Sequence, residues 1–266
     1  MNNKFLSAFV LSLLIAPIFI SSCNRTDSDS ATEETNDSII SFKTVGFSHL
    51  YFYPESKKIC GQDVYYQVSL SLMLPESPDG KGFEELRRAI EKTAIGTIAE
   101  GESIEKAFET YAEKSAKEFS NFGPCEPLDD SNGKIEPTGF RIINGDVASM
   151  TPEILSYAIS VYDYAILAAN GSTYLHYLNY DFKTKKILTL QSIFNEEQLK
   201  NLPELIANKV HETYPSANID TIPEEFYFDY QGRIVFVYQQ GEVLYRAAGP
   251  VTAAFYPQEL GLGNID

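Results

Sequence analysis

The chain has 266 residues, is 44% hydrophobic and 22% charged, and carries a formal net charge of −16. This is globular material, long enough for one large domain or two small ones. The acidity excludes nucleic-acid binding, which needs basic patches to neutralise phosphates, and it suits solubility and basic partners.

The N-terminus reads as an export signal. Lys4 is followed by an apolar run from Phe5 to Ile20, interrupted by Pro17, and then by Ser21-Ser22-Cys23. A positive start, an apolar middle and small residues at the end form the three parts of a secretory signal. An aliphatic residue, two small ones and a cysteine come in the order of a lipobox, where the thiol takes the lipid before cleavage. The run is shorter than the roughly 20 apolar residues a bilayer crossing needs. Residues 1–22 are therefore expected to be a lipoprotein signal peptide, with Cys23 lipidated. Several acyl chains on one cysteine would attach the chain stably to a membrane.

Residues 23–40 are polar and acidic, too poor in apolar side chains to fold, and read as a tether. Asp27, Asp29, Glu33 and Glu34 resemble the acidic tract that routes some Gram-negative lipoproteins outward. The expected location is the cell envelope, at the outer membrane and exposed on its surface.

Ser41 to Tyr53 alternates and is rich in β-formers. Gln62 to Leu74 places Val64, Tyr66, Val68, Leu70 and Leu72 on one face of a strand. Phe83, Leu86, Ile90, Ala94 and Ile98 repeat at helical spacing. A second helix follows with Ser103 as N-cap and Ile104, Ala107, Phe108, Tyr111, Ser115, Phe119 and Phe122 as its apolar face. Asp129 to Gly133 is a turn-rich loop. Phe140 to Met150, Ile154 to Ala168 and Thr173 to Phe182 read as strands, with Asn170-Gly171 as a hairpin-type turn. Lys183 to Lys186 is an exposed turn. A helix from Glu196 to about Tyr214 turns Leu199, Leu202, Ile206 and Val210 inward, and Pro203 is expected to kink or restart it. Phe226 to Phe228 and Arg233 to Tyr238 flank a hairpin at Tyr230-Gln231-Gly232, and Ala248 to Phe255 is the last strand. Strands, two helices, strands, one helix and strands make an α+β fold, with antiparallel sheets and helices packed on one face. The boundary between two subdomains is placed at 168–172, giving domains at 41–168 and 169–266.

Few residues suggest chemistry. With Cys23 lipidated, Cys60 and Cys125 are the one pair an oxidising compartment can bridge, a link contributing about 3–4 kcal/mol; two free thiols are the alternative. His49, His176 and His211 lie far apart, with no acid or cysteine at motif spacing, so no metal site is expected. Glu196-Glu197 and Glu224-Glu225 are sequence neighbours, which do not form a glycosidase dyad. No Gly-rich phosphate loop, nucleophile elbow or zincin motif occurs. No catalytic residue and no cofactor is expected.

One stretch carries a resemblance. Asn179-Tyr180-Asp181-Phe182-Lys183-Thr184-Lys185-Lys186-Ile187-Leu188-Thr189-Leu190-Gln191-Ser192-Ile193-Phe194 is a strand ending in Asp, a Thr-Gly-Lys-type turn, Leu-Thr-Leu and a short Asp-Leu-Phe-like element. Phe226 to Tyr238 matches a following hairpin, and Arg246 to Leu260 a closing strand with a Pro-x-Glu-Leu end. These features resemble the RsiV-like extracellular module, the paired uncharacterised domains found in the anti-sigma factor RsiV and the peptidoglycan deacetylase PdaC. The chain departs from those proteins. It has no sigma-binding helix, transmembrane segment or deacetylase domain, and Ala169-Asn170-Gly171-Ser172 replaces a Gly-Gly-Ala-His-type turn.

The resemblance implies lysozyme binding at a cell surface. The expected function is thus a non-enzymatic binding module, with a basic lysozyme-like protein as partner. A cell-wall glycan or peptidoglycan fragment is the alternative, and a hydrolase of unrecognised type the third reading. Tyr174, His176, Tyr177, Tyr180, Tyr227 and Tyr238 are the candidate contact residues, with core packing the alternative for half of the tyrosines.

Overall fold

The computed structural model describes residues 40–53, 63–76, 82–119, 138–165 and 170–263. The signal peptide, Cys23, the tether, Cys60, Cys125 and the Asp129–Gly133 loop lie outside the described residues.

Six strands form the first sheet, in the order β1 (Ser41–Phe52), β2 (Tyr65–Glu76), β3 (Thr138–Met150), β4 (Ile154–Tyr164), β5 (Ser172–Asp181) and β6 (Lys186–Leu188). Each neighbouring pair is antiparallel except β2 and β3, which run parallel. A parallel pair needs a crossover, and here α1 (Glu84–Ile95) and α2 (Ile104–Phe119) lie between the two strands. The largely antiparallel expectation thus holds with one exception, and the helices explain it.

The two helices form because their apolar residues recur at one-turn spacing. Leu86, Ile90 and Ala94 of α1 are buried, as are Ile104, Phe108, Ala112 and Ala116 of α2. Ser103 caps α2, its hydroxyl accepting the Lys106 N–H at 3.3 Å. Both helices pack on the sheet face made by Tyr66, Val68, Leu70, Leu72 and Leu74 of β2, with Ile143, Leu155, Tyr157 and Ile159 of the next strands. Gly139 is needed here. A Cβ at that position would stand 2.2 Å from the Phe119 ring, which stacks on Tyr66 at 4.1 Å.

A second core follows. The short α3 (Leu190–Ile193) and α4 (Glu196–His211) pack with an antiparallel sheet of β7 (Glu225–Phe228), β8 (Ile234–Tyr238) and β9 (Val251–Phe255). Asn195 and Gln198 form a reciprocal cap at the start of α4. Leu202, Ile206 and Val210 are its buried face. Helix α4 runs unbroken through Pro203, so the proline does not restart it as expected; burial of the flanking Leu202 and Ile206 offsets the lost backbone bond. The last strand is shorter than expected. Arg246–Ala248 is a 3-10 turn, and Gly249 with φ 76° and Pro250 delay β9 to Val251.

The fold is α+β with two apolar cores. The division between them is not at 168–172. That segment joins β4 to β5, which pair from Ile154/Asp181 to Asp163/Ser172, and residues 38–266 form one compact unit. Tyr180 still belongs to the first core, whereas Leu188 packs against the second.

Candidate functional site: the open face of the first sheet

The side-chain alternation of a strand puts β2 residues 65, 67, 69, 71 and 73 on the face opposite α1 and α2. The strand register then fixes which residues share that face. One cross-strand row is Leu50, Gln67, Phe140 and Tyr164; the next is Ser48, Ser69, Ile142, Tyr162 and Thr173; a third is Gly46, Ser71, Asn144, Ser160 and Leu175. Phe52 and Tyr65 stand beyond the first row. None of these positions holds Asp, Glu, Lys or Arg. The first acid on this face is Asp146, opposite Ala158.

Several of these side chains are open to water. Phe52 is 70% exposed, Leu50 41% and Tyr162 37%. Phe52 and Tyr65 meet edge to face at 5.1 Å, and Phe140 and Tyr164 are 5.8 Å apart. Between the rings runs a polar line, in which Gln67 Nε2 donates to Ser69 Oγ at 3.3 Å and Ser69 shares a 2.9 Å hydrogen bond with Ser48 Oγ. The Tyr162 ring lies over Gly171, where a Cβ would be 2.4 Å from it.

The other end of the same face is closed by β7. Ser156 Oγ donates to Asn179 Oδ1 at 2.7 Å, Asn179 Nδ2 donates to the Phe226 carbonyl at 2.8 Å, and the Phe228 N–H donates to Ser156 Oγ at 2.9 Å. Ser149 Oγ donates to the Phe228 carbonyl. Ser149, Ser156 and Asn179 are buried, and these bonds satisfy them.

Beyond β6, side chains take the place of a neighbouring strand along the outer edge of β5. Gln239 accepts the Leu175 N–H at 2.9 Å and donates to its carbonyl at 2.6 Å. Glu225 accepts the Tyr177 N–H at 2.7 Å with one oxygen and meets His176 Nδ1 at 2.9 Å with the other. The hydrogen bond to Glu225 raises the His176 pKa; burial opposes it, and the charges of Glu225 and Glu224 add to the rise.

The expected contact residues separate into three groups. His176, Tyr177 and Tyr227 do come together at this joint, where the rings of Tyr177 and Tyr227 stack at 4.7 Å. Burial first, then the Tyr227 and Glu225 charges, push the Tyr177 hydroxyl up to about 12. Tyr174 is 44% exposed, but its partner in the ladder is Val161, on the helix side of the sheet. Tyr180 and Tyr238 are core residues, 1% and 0% exposed, whose hydroxyls donate to the carbonyls of Gly82 at 2.7 Å and Thr221 at 2.6 Å. They are not contact surface: alternation marks an apolar face without saying which face is covered. Sequence reasoning missed the open-face rings and Glu225. The odd positions of β2 were the available signal for the former.

A cleft of about 270 Å³ lies between the β3–β4 turn and the β7–β8 hairpin, lined by Glu153, Phe228, Gln231, Tyr256, Pro257 and Gln258 among others. Its lining includes one carboxylate; glycoside hydrolysis ordinarily uses two. Among the described residues, no three His, Cys, Asp or Glu side chains cluster as a metal site, and no helix is long and apolar enough to cross a membrane.

No protein-family profile matches the chain, and no curated protein does. Solved structures share its fold, two of which are DUF3298-family proteins. A DUF3298-family member from Bacteroides fragilis NCTC 9343 is 19% identical, with a TM-score of 0.65 over 85% of this chain and 94% of that one. A DUF3298-family protein from Pseudomonas aeruginosa PAO1 is 13% identical, with a TM-score of 0.53 over 83% of this chain and 93% of that one. At such identities the likeness is one of fold: the chain is built like the domain of unknown function that these proteins carry.

Proposed function

We propose that the chain is a lipid-tethered, non-enzymatic binding module of the bacterial cell envelope, and that its partner is a basic protein of the lysozyme type. The lipobox at Cys23 and the acidic tether after it support the location. The layout of charge on the helical layer carries the partner assignment. Glu105, Glu109 and Glu113 follow one another at one-turn spacing on the exposed side of α2, in a chain of net charge −16. Glu109 pairs with Lys106 at 3.0 Å, both side chains well exposed. The stripe lies beside β1, where burial and then the Glu113 and Glu109 charges raise the Tyr51 pKa. Such a surface speeds encounter with a cation-rich protein more than it deepens affinity.

Calorimetric titration of residues 38–266 with a c-type lysozyme at two salt concentrations tests the reading. Saturable binding that weakens with salt is expected, and stopped-flow mixing should show slower association for the Glu105, Glu109 and Glu113→Gln triple variant. Heat absent at both concentrations removes lysozyme as the partner. For the anchor, Cys23→Ala is expected to release the protein from membranes, and retention would refute lipid attachment.

A further inference from the structure

The open face of the first sheet differs in kind from the helical layer. We propose that it is a second binding surface, which takes an uncharged polysaccharide strand laid across β1 to β4. The proposal goes beyond the reading above and uses a different face of the molecule.

Charge selects the occupant. Over a fifth of the chain is Asp, Glu, Lys or Arg, yet the three cross-strand rows and the Phe52–Tyr65 end contain none of them. A basic protein would find no carboxylate there, and an anionic lipid surface no lysine. A neutral partner loses nothing by this.

The mixture of groups narrows the choice further. A second copy of the chain, or any apolar protein face, would seal the Ser48, Ser69 and Gln67 line away from water. These groups bond one another, but their remaining donor and acceptor capacity, the Gln67 carbonyl above all, would go unmet, which costs free energy. A sugar ring offers both halves of what this face needs. Its C–H face covers an aromatic ring, and its hydroxyls exchange hydrogen bonds with hydroxyls and amides. Two of the three rows carry both halves side by side: Gln67 precedes Phe140 and Tyr164, and Ser69 precedes Ile142 and Tyr162. Neighbouring strands are also spaced about 4.8 Å apart, close to the advance of one sugar along a β-linked chain, so a strand crossing the sheet meets one β-strand per sugar. Phe52 and Tyr162, both well exposed, stand at opposite sides of this path.

The test uses the full chain in detergent micelles, titrated with chitotetraose and with its de-N-acetylated, cationic counterpart. Chitotetraose is expected to bind with an affinity that salt does not change. Tyr162→Ala and Phe52→Ala should each weaken it on the order of tenfold, and Glu109→Gln on the helical layer should leave it unaltered. Circular dichroism checks that the variants remain folded. Failure of chitotetraose to bind saturably overturns the proposal, as does tighter binding of the cationic sugar or indifference to both ring variants. Sedimentation as a dimer that Phe52→Ala dissociates would give the face to a second copy and equally refute it. Because the lysozyme experiment reads the opposite face, slower lysozyme association in the Gln triple variant with chitotetraose binding intact separates the two failures.

Discussion

The two faces of the first sheet are built from the same strands and have opposite fates. On one, Val68, Leu70 and Leu72 alternate with nothing polar and disappear beneath α1 and α2. On the other, one residue along, Tyr65, Gln67, Ser69 and Ser71 mix rings with hydroxyls and stay partly open. An aliphatic face has one favourable environment, the core. A face of rings and hydroxyls has two, since water satisfies the polar half and a ligand of matching chemistry satisfies both. The Glu105, Glu109 and Glu113 stripe lies elsewhere again, on the solvent side of the helices, while the sheet itself carries charge sparsely, as at Asp146 on the open face and at the Arg141–Asp163 pair on the helical side.

Truncating one aromatic on each side is the largest expected break in this comparison. Phe108 is fully buried between α2 and the sheet, and Phe108→Ala is expected to cost about 3–5 kcal/mol in denaturant unfolding. Phe52→Ala removes a ring of similar size from the open face and should change stability by less than about 1 kcal/mol. Comparable losses in the two variants would mean that the open face is itself covered and load is shared. A smaller effect is expected at the edge of the helical side. Arg141 grips Asp163 with two bonds, of 2.6 and 3.0 Å, and reaches the Tyr111 and Ser115 hydroxyls of α2 at 3.4 Å. Asp163→Asn leaves this partly exposed guanidinium without its counter-charge and is expected to cost about 1–2 kcal/mol, less at high salt. Unchanged stability would show that Arg141 is held by the α2 hydroxyls alone.

Much of the helical side was legible in the sequence. One-turn spacing located α1 and α2, and the even positions of β2 named the buried face before any strand order was known. The hairpin at Tyr230-Gln231-Gly232 was legible for a similar reason, since turn residues act locally; the β4–β5 pairing was legible too, but β4 ends at Tyr164, short of the expected Ala168. The open face was not, because it exists only once β2 lies parallel to β3 and the registers of four strands are fixed. Gln67 and Phe140 are neighbours across strands and far apart in the chain. Tyrosine added its own ambiguity. Tyr180 and Tyr238 bury their rings and still satisfy their hydroxyls on backbone carbonyls, so a tyrosine-rich strand reads equally as surface and as core. Glu225, which anchors His176, is also distant in sequence and belongs to the other core.

That last contact gives the smallest and most selective prediction. It sits where the open face ends and the second core begins, and His176 and Glu225 are the charged pair among the bonds described there. The His176 pKa is raised above its ordinary value of 6.5, chiefly by the Glu225 hydrogen bond. A group whose pKa rises on folding contributes fully when the unfolded chain is also protonated, below pH 6.5, and the contribution fades as pH climbs through the raised value. The His176 side chain is 39% exposed, so solvent screening keeps the effect under about 1 kcal/mol. Unfolding midpoints of the parent and of His176→Gln, compared at pH 5.5 and 8.5, should converge at the higher pH, and the hydrogen-exchange protection factor at Tyr177, whose N–H shares the Glu225 carboxylate, should fall there in the parent alone. If the parent gains stability with pH at this joint, the imidazole is held neutral, and the two cores are joined by Gln239 and the buried Ser156–Asn179 bonds rather than by charge.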